Sequence, residues 1–335
     1  MRLSIIVPVF GVERYIARCL DSIFSLDISS NDYEVICVDD CSKDSSVAII
    51  ESYQAAHDNL ILIHHDENKR QGGARNTGIK YATGEFTLFV DADDYLPKYD
   101  IASVLAYMRS NQLDLLIASA DIKMEDRTIK RWGNAPICKS SIMKGPNVFT
   151  DEYIHKVAFG VVWIGIYKTA LIKRMRPFVE KVSYEDADWT LQCAYEAKRL
   201  QYQSITIYNY VKNPASTTRQ GSIQLMTDRL RQGLRVWQWA LTVTQNQEAV
   251  ISSAKDFCIF NLFALKSIWK YKVSERKAFY NSFTDEEWDI MKGWVHGRKD
   301  SISFFVTHHT IAQAFLCFIS PLLRLTRSIK NQLVR

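Results

Sequence analysis

In the first third of the chain, apolar β-branched runs alternate with segments of helical period. That alternation restricts the fold to βαβ units around a mostly parallel sheet. Leu3 to Phe10 (LSIIVPVF) reads as a buried strand, and Ile16, Cys19, Leu20 and Ile23 then form one face of a helix. Tyr33 to Val38 is a second strand, and Ser42-Lys-Asp-Ser offers the cap and early acid of a second helix. Leu60 to His64 is a third strand. Gly72 to Ala82 follows as a helix with a small-residue face, closed by Gly84 as its C-cap. Phe86 to Val90 is a fourth strand, and it ends in the carboxylates Asp91, Asp93 and Asp94.

Ligands of open parallel sheets bind beyond the carboxyl ends of the strands. There the polar residues collect: after Phe10, at Asp39 and Asp40, and at Asp91 to Asp94. Residues 120–160 are less regular. A helix is expected over Asp186 to Leu200 and a strand over Gln203 to Val211. From about 221 the pattern is helical and no turn-rich linker marks a boundary.

The 335 residues suffice for about two structural units. With 47% hydrophobic and 24% charged residues the chain is globular, not disordered. The net charge of +5 resides largely in the tail, where Arg324, Arg327, Lys330 and Arg335 meet no acid. The body therefore lacks the basic stripe of a nucleic-acid binder. Seven cysteines without CxxC or zinc-ligand spacing suit a reducing setting. The short apolar run broken by Pro8 is too brief for a signal peptide, and no apolar stretch is long enough to span a membrane, so a cytoplasmic location is expected.

FVDADD at 89–94 is the sharpest constellation. A carboxylate two residues from another at a strand end can hold a hard divalent ion whose shell is completed by phosphate oxygens and water. A lone DxD is more often a solvated acidic turn; three acids crowded at a buried strand end instead call for a cation. Asp39 and Asp40 lie too early to be helix caps alone and suit the N–H groups of a ligand. NKRQGGARNTGI at 68–79 puts glycines and basic side chains at a helix start, as an anionic ligand needs, although a tight structural turn reads the same. YEDADW at 184–189 places Glu185 and Asp186 at a helix start, which the dipole also favours without any function. Trp163 offers a face for a sugar ring, or packs in the core. His64-His65, His155 and His308-His309 read as structural.

In this order SIIVPVFGVERYIARCLDSI, EVICVDDCSKDSS, NKRQGGARNTGI and GEFTLFVDADDYL closely resemble the N-terminal half of family 2 glycosyltransferases, over about residues 3 to 95. VWIGIYKTALIKR, YEDADW and YNYVKNPAST continue the likeness more weakly. The resemblance implies a GT-A, Rossmann-like sheet flanked by helices over 1–220, carrying donor binding and catalysis, and a helical region over 221–335. It implies that Pro8, Val9, Phe10, Glu13 and Asp40 hold the base and ribose, with Asp39 in support. Arg75, Asp91 and Trp163 complete the donor site. Asp93, with Asp91, would hold Mn2+ or Mg2+, and Asp186 would be the catalytic base of an inverting transfer from a nucleotide sugar, a UDP-sugar, to a glycan or lipid-linked glycan in cell-surface polysaccharide assembly. Gly11 stands where the family often has Asn, and Arg70 where Gly is frequent.

Two other functions compete. A sugar-nucleotide nucleotidyltransferase would need a Gly-rich basic loop after the first strand, where this chain has PVFGVER; a scaffold of the same fold would not need Asp91, Asp93 and Asp186 together. Ile311 to Leu323 is apolar for 13 residues and leads into a basic segment. It suits either an in-plane helix on an anionic membrane, through 302–335, or a terminal helix docked on the protein.

Overall fold

The computed structural model describes residues 2–124, 127–132, 139–150, 160–213, 221–296 and 306. The basic tail apart from Val306, His155, His308-His309 and the 214–217 end of the YNYVKNPAST run lie outside the described residues. The chain divides into two compact units, Met1–Ser216 and Thr217–Arg335.

In the first unit β1 (Leu3–Val9), β2 (Tyr33–Asp39), β3 (Leu60–His64) and β4 (Phe86–Phe89) alternate with α1 (Ile16–Phe24), α2 (Ser46–Gln54) and α3 (Arg70–Tyr81). After α4 (Ile101–Ser110) come β5 (Leu115–Met124), β6 (Arg127–Trp132), β7 (Gly165–Lys168), the short α5 (Thr169–Ile172), α6 (Glu185–Glu196) and β8 (Leu200–Val211). The strands form one sheet in the order β3-β2-β1-β4-β7-β5-β6, with β8 also on β5. β1 runs parallel to β2 and β4, and β2 to β3, so these four strands end at the same edge. β7 is antiparallel to both β4 and β5, which makes the whole sheet mixed.

β1 and β2 are buried along their whole length, which is why they read as largely apolar runs; the buried polar pair within them, Ser4 and Glu34, is joined by a hydrogen bond (2.6 Å). Pro8 sits in this central strand without breaking the ladder. The Ile6 carbonyl accepts from Val90 N–H, so Pro8, two residues on, turns its backbone to the same side beyond the last β1–β4 pair. Residues 120–132 are more regular than expected: β5 continues to Met124 and β6 pairs with it. Gly84 does not cap α3. Ala82 does, and Gly84 lies where a Cβ would meet the Leu3 and Ser4 backbone at 2.6 Å.

The second unit is helical: α7 (Ile223–Ala240), α8 (Gln247–Leu262), α9 (Val273–Asn281) and α10 (Asp285–Trp294). Leu230, Leu234, Cys258, Phe279, Trp288 and Trp294 share its core, and Thr284 with Glu287 forms a capping box at the start of α10. Among the described residues no helix is long and apolar enough to cross a membrane.

Candidate active site

The loops after β1 and β2 are tied to each other. Ser42 Oγ accepts from Gly11 N–H (3.2 Å) and Ser46 Oγ from Val12 N–H (2.9 Å); Glu13 accepts from Ser45 N–H (2.9 Å) while its own N–H donates to Asp44 (3.0 Å). Gly11 has φ +65°, the left-handed turn that lets β1 leave the sheet. Because Ser42 and Asp44 serve this junction, α2 starts at Ser46, later than the capping residues suggest. Pro8 and Val9 are buried in the strand, whereas Phe10 is 57% exposed above the edge. Of the residues expected near the base, Phe10 therefore offers a free surface, and Glu13 is committed to the loop junction.

Asp40 is buried just beyond β2. Its Oδ1 accepts from Lys69 N–H (2.8 Å) and lies 2.8 Å from His65 Nδ1, while Oδ2 is buried with no partner among the described residues. Asp39 instead accepts from Ser42 N–H (3.0 Å) and faces His64 at 3.4 Å, in support of the same loop.

The loop after β4 is held by β8. The Tyr208 hydroxyl accepts from Asp91 N–H (3.0 Å) and donates to Asp94 (2.8 Å), whose other oxygen accepts from Val211 N–H (2.7 Å). Asp94 is thus a structural acid, whereas Asp91 and Asp93 remain partly exposed. Burial pushes the Asp93 carboxyl up to about 6, Asp91's charge adds to this, and Arg18 opposes it. Trp163 is 4% exposed and stacks on Tyr208 at 4.6 Å. It backs this loop rather than presenting an open face to a sugar.

α6 reaches the same edge through α3. Asn76 exchanges hydrogen bonds with the Phe178 backbone (2.9 and 2.8 Å), and Lys181 N–H donates to the Lys69 carbonyl (3.0 Å). Arg70, at φ 58°, donates to Ser183 (3.0 Å), which gives a physical reason for glycine at that position: the backbone is left-handed there. Gly72 allows the contact, since a Cβ would meet the Val179 carbonyl at 2.5 Å. Arg75, 1% exposed, then donates from Nη2 to Asp91 (2.7 Å) and from Nη1 to Glu185. The two acidic motifs, far apart in sequence, meet at one guanidinium. Asp186, next in α6, is partly exposed. Burial pushes its carboxyl up to about 7, the charge of Glu185 adds to this, and Arg75 opposes it. Asp91 also raises it, so Asp186 stands within electrostatic reach of the β4 loop.

Among the described residues no group of three or more His, Cys, Asp or Glu forms a metal cage. Two partly exposed carboxylates, one with its pKa raised by burial and then by the other's charge, still fit a hard divalent ion that takes its remaining ligands from a diphosphate and water. His65, Thr77, Arg18 and Tyr208 were not expected at the site. The β2–β3 register, Asp39 opposite His64, carried a signal for His65, because the next residue along falls beside Asp40. Tyr208 had no comparable signal.

Residues 4–175 match the family model described as glycosyl transferase family 2. The chain belongs to glycosyl transferase family 2. The poly(ribitol-phosphate) beta-glucosyltransferase of Bacillus spizizenii is 31% identical over 215 residues, 63% of this chain and 32% of that protein. The uncharacterized glycosyltransferase EpsJ of Bacillus subtilis is 32% identical over 219 residues, 64% of this chain and 62% of its own length. The chain thus matches less than two thirds of either relative. The crystal structure of Staphylococcus aureus TarS 1–349 in complex with UDP-GlcNAc superposes with a TM-score of 0.69 at 22% identity, over 95% of this chain and 89% of that one. At that identity the likeness is one of fold, and it agrees with the GT-A sheet that family 2 membership implies.

Proposed function

We propose that this family 2 chain transfers a sugar from a uridine diphosphate sugar to a hydroxyl of a cell-surface glycan or lipid-linked glycan, with inversion at the anomeric carbon. The observation that carries the reading is the Arg75 bridge, which brings the Asp91–Asp93 loop and the Glu185-Asp186 pair to one strand edge. The unpartnered Asp40 Oδ2 suits the N3–H of a uracil base, and exposed Phe10 suits its ring. Similarity to a poly(ribitol-phosphate) glucosyltransferase supports an acceptor at the cell surface, and the UDP-GlcNAc complex of TarS supports the uridine donor. Donor binding and reaction are assigned to residues 1–220, on the cytoplasmic side.

Asp93 and Asp91 would hold Mn2+ or Mg2+, which when bound supplies Lewis-acid charge to the departing diphosphate. Arg75 fixes Asp91 and neutralises its neighbour Glu185, so it positions carboxylates instead of touching the donor. Asp186, with a pKa near neutrality, takes the proton of the acceptor hydroxyl as its oxygen bonds to the anomeric carbon and the carbon–diphosphate bond breaks. One displacement by one base inverts the configuration.

Purified protein assayed with labelled UDP-sugars and Mn2+ tests the assignment. Asp186→Asn should keep UDP binding in calorimetry and lower transfer about 100- to 10,000-fold. Asp93→Ala should abolish the Mn2+ dependence of UDP binding. Unchanged transfer in either variant would refute the role given to that residue.

A further inference from the structure

His65 takes no part in the reaction above, yet its side chain is only 5% exposed and contacts Asp40, the acid assigned to the base. Its Nδ1 lies 2.8 Å from Asp40 Oδ1 and its Nε2 lies 2.8 Å from Thr77 Oγ1. Its backbone N–H donates to the Asp39 carbonyl (2.9 Å), so the ring is anchored at both strand and helix. We propose that His65, held by Thr77, is a positioning residue for base selection: it locks the Asp40 carboxylate so that Oδ2 is presented as a single acceptor to a uracil N3–H. This rests on the reading of Asp40 as the base contact.

The chemistry fixes the roles. A carboxylate oxygen accepts, so the hydrogen lies on Nδ1; Nε2 then meets the Thr77 hydroxyl, which serves as donor to a neutral ring or as acceptor from a charged one. With Lys69 N–H (2.8 Å) also on Oδ1, one oxygen is saturated by two donors from separate elements, β3's end and α3's start. Rotation of the carboxylate would break both bonds. The second oxygen is therefore held in place, buried and without a partner, an arrangement that is destabilising until a ligand donates to it. Uracil has a hydrogen on N3 and satisfies it. Cytosine has a lone pair there and is repelled. Discrimination of this sign depends on Oδ2 staying where it is, because a free carboxylate could turn to the exocyclic amine of cytosine.

Binding of UDP and of CDP to the full-length protein in the presence of Mn2+, measured by calorimetry, tests this. His65→Leu should weaken UDP about tenfold, equivalent to about 1.4 kcal/mol, and leave CDP unchanged, so that the UDP/CDP preference collapses while kcat at saturating donor holds. His65→Asn keeps a donor near the Nδ1 position and should restore the preference; Thr77→Val should reduce it about two- to threefold. A merely structural His65 would lower thermal stability and weaken both nucleotides alike. A folded His65→Leu protein with wild-type preference overturns the proposal, and if that variant does not fold, an unchanged preference in Thr77→Val does so. Equal binding of UDP and CDP by the wild type would instead remove the Asp40 reading beneath it.

Discussion

Arg75 is a buried cation with a carboxylate on each Nη group and Phe178 beneath its plane at 5.8 Å. Asp91 and Glu185 raise its pKa against the effect of burial, so it stays charged. Such a bridge is not a source of stability compared with an apolar core, but removing its centre leaves the buried Glu185 and the partly buried Asp91 without their shared cation. Arg75→Met should therefore lower stability by about 3–5 kcal/mol in denaturant titration. Glu185→Gln, which leaves the Asp91 contact intact, should have a smaller effect. A loss below about 1 kcal/mol for Arg75→Met would mean that the acids are held by something else. The family resemblance implied Arg75 as a donor ligand, while the block NKRQGGARNTGI by itself read equally as a tight structural turn. Which direction a guanidinium points is a tertiary property, and here the bonding partner comes from residue 185, beyond the reach of local pattern.

At the scale of elements, α3 is a spacer between the sheet and α6. Its two close approaches use different glycines: a Cβ on Gly78 would meet Ile6 Cγ2 at 2.4 Å, and one on Gly72 would meet the Val179 carbonyl and, at 3.0 Å, Glu185 Cγ. Both Gly→Ala changes overpack and should cost about 1–3 kcal/mol each. Their effects on transfer should differ. Gly72→Ala pushes on the segment that carries Glu185 and Asp186 and should reduce kcat in folded protein, whereas Gly78→Ala displaces the helix from β1 and should act mainly through stability. Equal kcat in the two variants would show that the 178–185 segment does not set the position of Asp186. The small-residue face of α3 was legible because glycine and alanine at helical spacing announce close packing, and β1, β2 and β4 were legible because buried parallel strands are largely apolar, while the half-buried β3 was legible from its apolar run LILI. β7 was not. VWIGIYK lacks the apolar–polar alternation of a half-buried strand, and four residues are too few to separate a strand from a core segment. β8 begins at Leu200, where a helix was expected to continue; α6 ends at Glu196 and Ala197 turns extended, with no glycine or proline to announce the break.

The whole molecule brings acids from β2, β4 and α6 to one edge of the sheet, and folding must bear their proximity. Asp186 has its pKa raised from 3.8 to about 7 and that of Glu185 is raised as well, in both cases chiefly by burial. In the window from about pH 4 to about pH 7 the folded chain keeps protons that the unfolded chain has released. Stability must then fall as pH rises through that window and level off above it. Asp186→Asn removes this penalty. The variant should match wild type near pH 4 and exceed it at pH 8 by about 1–3 kcal/mol, a range that discounts the shift for partial exposure. Thermal unfolding of both proteins from pH 4 to pH 8 measures the difference. A wild-type advantage that grows toward pH 8 would mean that the Asp186 carboxylate is held ionised by favourable charge, and a group so held would be too weak a base for the proton transfer assigned to it. The expected outcome is the opposite one, in which the substitution that stops transfer also stabilises the fold, because the chemistry needs a carboxylate that the folded chain would otherwise neutralise.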